Sequence, residues 1–131
     1  MTQESAGDKL AKLLAKYVAE TPEVPVVLAE DLGGQYDADD AKPVVDVVLD
    51  EENKAVHFVF EEESLDERHP IRLREVVDRI GAPDRLRGFK VSAAKWLDLG
   101  PELSDYSAWI TYPVVGFGYD ESEDWFLFLI P

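Results

Sequence analysis

From Trp125 to Ile130 the chain is apolar at six consecutive positions. Six residues are too few for a stable helix but a normal length for a strand. In a strand, Trp125, Leu127 and Leu129 point to one side and Phe126, Phe128 and Ile130 to the other. A strand that is apolar on both faces must be covered on both. Any fold of this chain therefore needs a sheet with a layer on each side, or with a partner supplying one of them. The residues just before, Asp120-Glu121-Ser122-Glu123-Asp124, hold four acids in five positions. They read as the tip of a hairpin, and their charge restrains an aggregation-prone strand during folding.

The rest of the chain supplies the other elements. Leu10, Leu13, Leu14, Tyr17 and Val18 follow the spacing of one apolar helix face. Ser5 is placed to cap that helix with Asp8 three residues on, and Thr21-Pro22 ends it. Residues 24–32 read as a strand that Pro25 confines to an edge or a first strand position. Residues 33–42 form a Gly- and Asp-rich loop. Val44 to Leu49 and Ala55 to Glu63 form a hairpin around the turn at 50–54. On its return arm Val56, Phe58 and Phe60 face one way, and His57 and Val59 the other. Leu73, Val76, Val77 and Ile80 mark a second helix, with Pro70 in its first turn and Gly81 at its end. Phe89 to Val91 suits a short strand, and Ser92 to Leu97 a helical turn. A last hairpin has arms at Ala108–Tyr119 and Trp125–Ile130. Pro113, Gly116 and Gly118 weaken its first arm.

The order α-β-β-β-α-(β/α)-β-β describes an α+β domain spanning residues 1–131. The expected sheet is mainly antiparallel, of about five strands, with two main helices packed on one face.

Charge is the second constraint. The 131 residues carry a formal net charge of −15, unevenly spread. Residues 22–66 have a net charge of −12, residues 67–100 of +3, and residues 101–131 of −6. Such a field repels nucleic-acid phosphates and anionic membranes, and it attracts basic proteins. The basic stretch from Arg68 to Lys95 reads either as an anion site on the second helix or as internal balance for the acids of 22–66. The absence of cysteine excludes disulfides and thiolate chemistry. With no signal-peptide pattern and no apolar run near the roughly 20 residues that span a bilayer, it points to a cytoplasmic location.

No catalytic, cofactor or metal motif stands out. His57 lies mid-strand, His69 precedes Pro70, and no Gly-x-Ser-x-Gly elbow presents a nucleophile. Three acidic clusters fail the calcium-loop pattern. Asp37, Asp39 and Asp40 lack its glycine and its later glutamate. The span 50–61 puts Lys54 at a ligand position and Ala55 at the turn glycine. Asp120, Ser122 and Asp124 are followed by Trp125 where glycine is required.

The first functional expectation is a non-catalytic acidic protein-binding module of the inhibitor or immunity type, which captures a basic partner such as a toxin or nuclease. Its candidate partner-binding residues are Asp37, Asp39, Asp40, Tyr119, Asp120, Glu121, Glu123, Asp124 and Trp125. The order of elements and the acidity resemble the layout of type III secretion chaperones, without the terminal helix those usually carry. That resemblance implies a second reading, a small dimeric chaperone or adaptor joined through the C-terminal strand. A third is a ligand-binding domain or enzyme whose helix–sheet pocket is lined by Trp96, Trp109, Tyr112 and His57.

Overall fold

The computed structural model describes residues 5–61, 65, 69–95 and 110–131. Helix α1 (Ala6–Glu20) starts at a capping box. The Ser5 hydroxyl accepts from the Asp8 amide, and the Asp8 carboxylate accepts from the Ser5 amide, each at 3.1 Å. The same carboxylate accepts from the Gly88 amide, and these backbone donors hold its pKa below the usual carboxylate value. Gly7 lies so close to the chain at 86–89 that a Cβ there would sit 2.0 Å from the Leu86 carbonyl oxygen. Only glycine permits that approach. Helix α2 (Leu73–Ile80) stops at Gly81, whose φ of 100° few other residues tolerate. The Arg85 guanidinium donates to the freed Ile80 carbonyl at 2.7 Å.

Among the described residues seven strands form one mixed sheet: β1 (Val26–Glu30), β2 (Lys42–Asp50), β3 (Ala55–Phe60), β4 (Lys90–Lys95), β5 (Ile110–Pro113), β6 (Gly116–Asp120) and β7 (Trp125–Ile130). Their spatial order is β5-β4-β3-β2-β1-β7-β6. The α+β class holds, but the five antiparallel strands expected become seven, and two pairs, β1–β7 and β3–β4, run parallel.

Two local expectations are corrected. Residues 92–95 belong to β4, where Ala93 and Ala94 are fully buried, rather than to a helical turn. Residues 96–97 and 108–109 lie outside the described residues. The long arm expected before the acidic tip is two strands. Residues 110–113 pair with β4, and residues 116–120 pair with β7. Pro113 ends the first, because it has no amide to continue a ladder.

The sheet is curled. Phe58 on β3 stacks on Phe128 of β7 at 4.1 Å between ring centroids. Three strand spacings separate them, roughly 14 Å across a flat sheet, so the two halves must wrap toward each other. The bend lies between β1 and β2, which share only the pairs Val27–Pro43 and Leu28–Lys42. Beyond those pairs the strands part, and the segment before α2 fills the gap. Val26 donates to the Ile71 carbonyl, Ile71 to Val44, and Leu73 to Val24, each at 2.9 Å. The backbone groups exposed by the split are thus satisfied. A bulge between Val44 and Asp46 adds to the bend, and its Val45 carbonyl accepts from Arg79 at 3.1 Å.

Inside the curl, Leu10 and Leu14 of α1 and Leu73, Val76 and Ile80 of α2 pack on Val26, Leu28, Phe58, Phe126 and Phe128. On the outer side a smaller cluster joins Val27, Ala29, Ala41, Trp125 and Leu127, with Tyr36, Ala38, Leu65 and Leu129 against it. The apolar C-terminal run is therefore an interior strand between β1 and β6. Helices cover one of its faces and the loop of residues 31–41 the other. No helix of the described residues is long and apolar enough to cross a membrane.

Candidate functional site

The sheet brings two acidic stretches to one flank. The loop between β1 and β2 leaves the sheet beside Ile130, runs over the outer face of β7, and returns at Lys42. A short 3-10 turn, Ala38–Asp40, forms within it because the Asp37 carboxylate accepts from the Asp39 amide at 3.0 Å. The second stretch is the β6–β7 tip. It closes like the β2–β3 turn: an aspartate at the last strand position accepts from the turn, and the fourth turn residue has positive φ. Asp120 accepts from the Ser122 amide at 3.0 Å and from its hydroxyl at 2.7 Å. Asp124, with φ of 57°, returns the chain to β7.

Tyr36 ties the stretches together. Its hydroxyl donates to the Asp120 carboxylate and accepts from the Trp125 indole Nε1 at 3.0 Å. Burial, and then the Asp120 carboxylate, push the Tyr36 phenol up to about 12. Asp120 is held below the usual carboxylate range, first by Tyr36 and then by Ser122. On the other side of β6, the Tyr119 hydroxyl donates to Asp124 at 2.5 Å, and its ring lies 5.1 Å from that of Tyr17. That hydrogen bond raises the Tyr119 phenol to about 12.

The predicted partner-binding residues fall into three environments. Asp37, Asp39, Asp40, Glu121, Glu123 and Asp124 are exposed. Tyr119 and Asp120 are half-buried. Trp125 turns inward at 7% exposure and acts through Tyr36. Tyr36 is not among the residues that the sequence pattern singles out. The available signal was an aromatic ring inside GGQYDADD, a loop with nothing else large enough to cover an apolar strand.

The flank is predominantly negative, with Lys42 as the base at its border. Glu30, Asp31, Asp37, Asp39 and Asp40, with Asp120, Glu121, Glu123 and Asp124, lie in two segments, 30–41 and 114–131, that contain no Lys or Arg. Five arginines of the basic stretch are engaged elsewhere. Arg72 and Arg74 both reach Glu23, the latter at 2.8 Å. Arg79 reaches Asp46 at 2.9 Å, Arg85 pairs with Glu51, and Arg87 with its neighbour Asp84. Internal balance thus accounts for much of the basic stretch.

The acidic loop also borders a cavity of about 310 Å³ at the open end of the curl. Leu28, Phe60, Tyr112 and Ile130 form its walls, and Glu30, Asp37, Asp40 and Lys42 stand at its rim. Of the four residues expected to line a pocket, Tyr112 lines this one. His57 faces the opposite side of the sheet, and Trp96 and Trp109 lie outside the described residues. His57 Nδ1 is 2.6 Å from Ser92 Oγ, a spacing set by the parallel ladder that pairs the two residues. Burial lowers the His57 pKa, and nearby Asp50 opposes the shift. The chain matches no protein-family model, no curated protein and no solved structure.

Proposed function

We propose that the chain is a non-catalytic acidic protein-binding module of the inhibitor or immunity type, working in the cytoplasm, which captures a basic protein such as a toxin or nuclease. The observation that carries this reading is the flank joined by Tyr36: nine carboxylates in two segments without a base. Elsewhere the arginines around α2 offset Glu23, Asp46 and Glu51, so the excess charge is concentrated rather than general. A predominantly negative surface steers a basic partner and speeds its capture. It disfavours nucleic acid and anionic membrane.

The competing reading, a dimer through the C-terminal strand, meets an obstacle. Both edges of β7 are paired within the chain, and five of its six side chains are buried. A dimer would have to use another surface.

The test is capture of basic proteins by the purified chain, including products of neighbouring genes, at low and then high salt. A captured protein is purified and its binding remeasured with a Glu121→Gln/Glu123→Gln variant. Salt-reversible binding weakened by the variant supports the reading. Binding indifferent to salt and to both substitutions, or a catalytic turnover found in the chain, would overturn it.

A further inference from the structure

The cavity beside the acidic loop has features that the flat acidic tip lacks. Its walls are apolar and partly aromatic, with the Phe60 and Tyr112 rings 5.9 Å apart. Leu32, 59% exposed, stands at its lining as one of the few large apolar side chains left in solvent among the described residues. Its volume, about 310 Å³, is at the small end of ligand pockets, suited to one long side chain rather than a nucleotide. Three carboxylates against one Lys42 make the rim negative. The fitting occupant has an apolar stem, a positive head, and a planar face that stacks on an aromatic ring. Arginine meets all three requirements, since its guanidinium stacks on aromatics and forks onto carboxylates where an ammonium does neither as well.

We infer that this cavity is the anchor pocket for an arginine side chain of the basic partner, with its stem between Leu28 and Ile130, its guanidinium plane against Tyr112, and its head on Asp37 and Asp40. This rests on the reading of the chain as a binder of basic protein. It adds a shaped site to a surface that otherwise works by charge alone. The occupant is held by its shape as well as its charge, so lysine of equal charge binds less well.

The test uses the full chain and N-acetyl-argininamide as the probe, with the lysine and leucine analogues as comparators. Backbone amide shifts of Phe60, Tyr112 and Ile130 are followed by NMR during titration at low salt. Saturable shifts with the arginine probe are expected, weaker with lysine and absent with leucine. Asp37→Asn and Asp40→Asn keep an acceptor in the loop but remove the charge. Together they should raise Kd about tenfold, the loss expected for charge-assisted hydrogen bonds. No saturable shift, equal binding of the lysine or leucine analogue, or an unchanged Kd in the double variant would overturn the inference. If the chain still captures a basic protein reversibly with salt while ignoring the probe, the pocket fails and the surface reading stands. Loss of salt-reversible capture sinks the surface reading, and the pocket inference that rests on it, whatever the cavity binds.

Discussion

The two faces of β7 are covered by different means. Phe126, Phe128 and Ile130 pack in the core that two helices cover, and that face is apolar throughout. Trp125 and Leu127 lie under a loop that packs Tyr36, Ala38 and Ala41 on them and ties down through one tyrosine hydroxyl between a carboxylate and an indole. The charges divide in the same way. Arginines on and around α2 answer acids on the strands and turns near them, while the loop side gathers acids with no base in its two segments. The helix layer packs apolar side chains closely over its face and adds polar ties at its margins, such as Arg79 to Val45 and Asp46. A loop layer with few apolar side chains needs a polar tie, and it leaves its other side chains free to set a surface.

The sharpest way to break this contrast is to empty each face in turn. Phe128→Ala should cost about 3–5 kcal/mol, because a fully buried ring leaves a cavity among helices and strands that cannot collapse. Leu127→Ala, under the more adaptable loop, should cost nearer to about 2 kcal/mol. Urea unfolding measures both, and an equal or larger loss at Leu127 would erase the distinction. Tyr36→Phe comes next, at about 1–2 kcal/mol, since Asp120 loses a donor and the Trp125 indole an acceptor while the ring stays. If the loop is tied as described, amide exchange should quicken across residues 31–41 and stay unchanged in α2.

Titration sharpens the same point. The Tyr36 phenol is raised from 10.0 to about 12 in the folded chain. Its contribution is full below the unfolded value and is lost as pH rises toward the folded one. Stability should therefore fall between about pH 10 and 12, and the fall should be shallower in Tyr36→Phe. Asp120 is shifted the other way, so its contribution is present above the unfolded carboxylate value of about 4 and lost as pH drops through the lower folded one. Asp120→Asn should flatten that acid limb, and an unaltered limb would count against the Tyr36 tie. The smallest effects belong to the surface. Asp39→Asn and Glu123→Gln should each move stability by less than about 0.5 kcal/mol while weakening capture of a basic partner. Arg79→Ala should cost under about 1 kcal/mol, and less in salt.

Much of the fold was legible from local pattern. The Ser5–Asp8 capping box, the Gly81 stop, the hairpin at 50–54 and the alternation in β3 and β7 are set by neighbours in sequence, whose physics needs no distant partner. Local pattern fails where distant contacts decide. Ser92 to Lys95 leans locally toward helix through Ala93, Ala94 and Lys95, and it is a strand because β3 and β5 flank it. The site was legible as charge but not as shape. Asp37 and Asp120 could be singled out, yet nothing local shows that Tyr36 joins their stretches across 84 residues of chain.

The sequence alone therefore determined that the C-terminal run is a doubly covered strand, that the class is α+β, and that acid is in excess. Each follows from side-chain period or composition, quantities that a linear chain carries by itself. The tertiary structure decided which elements cover which face, that β1 and β2 part to admit residues 71–73, and that Arg72, Arg74, Arg79 and Arg85 balance Glu23, Asp46 and Glu51 rather than the loop and tip. Those outcomes depend on strand order and curl. Both arise from the joint burial of side chains far apart in the chain, which no window of sequence contains.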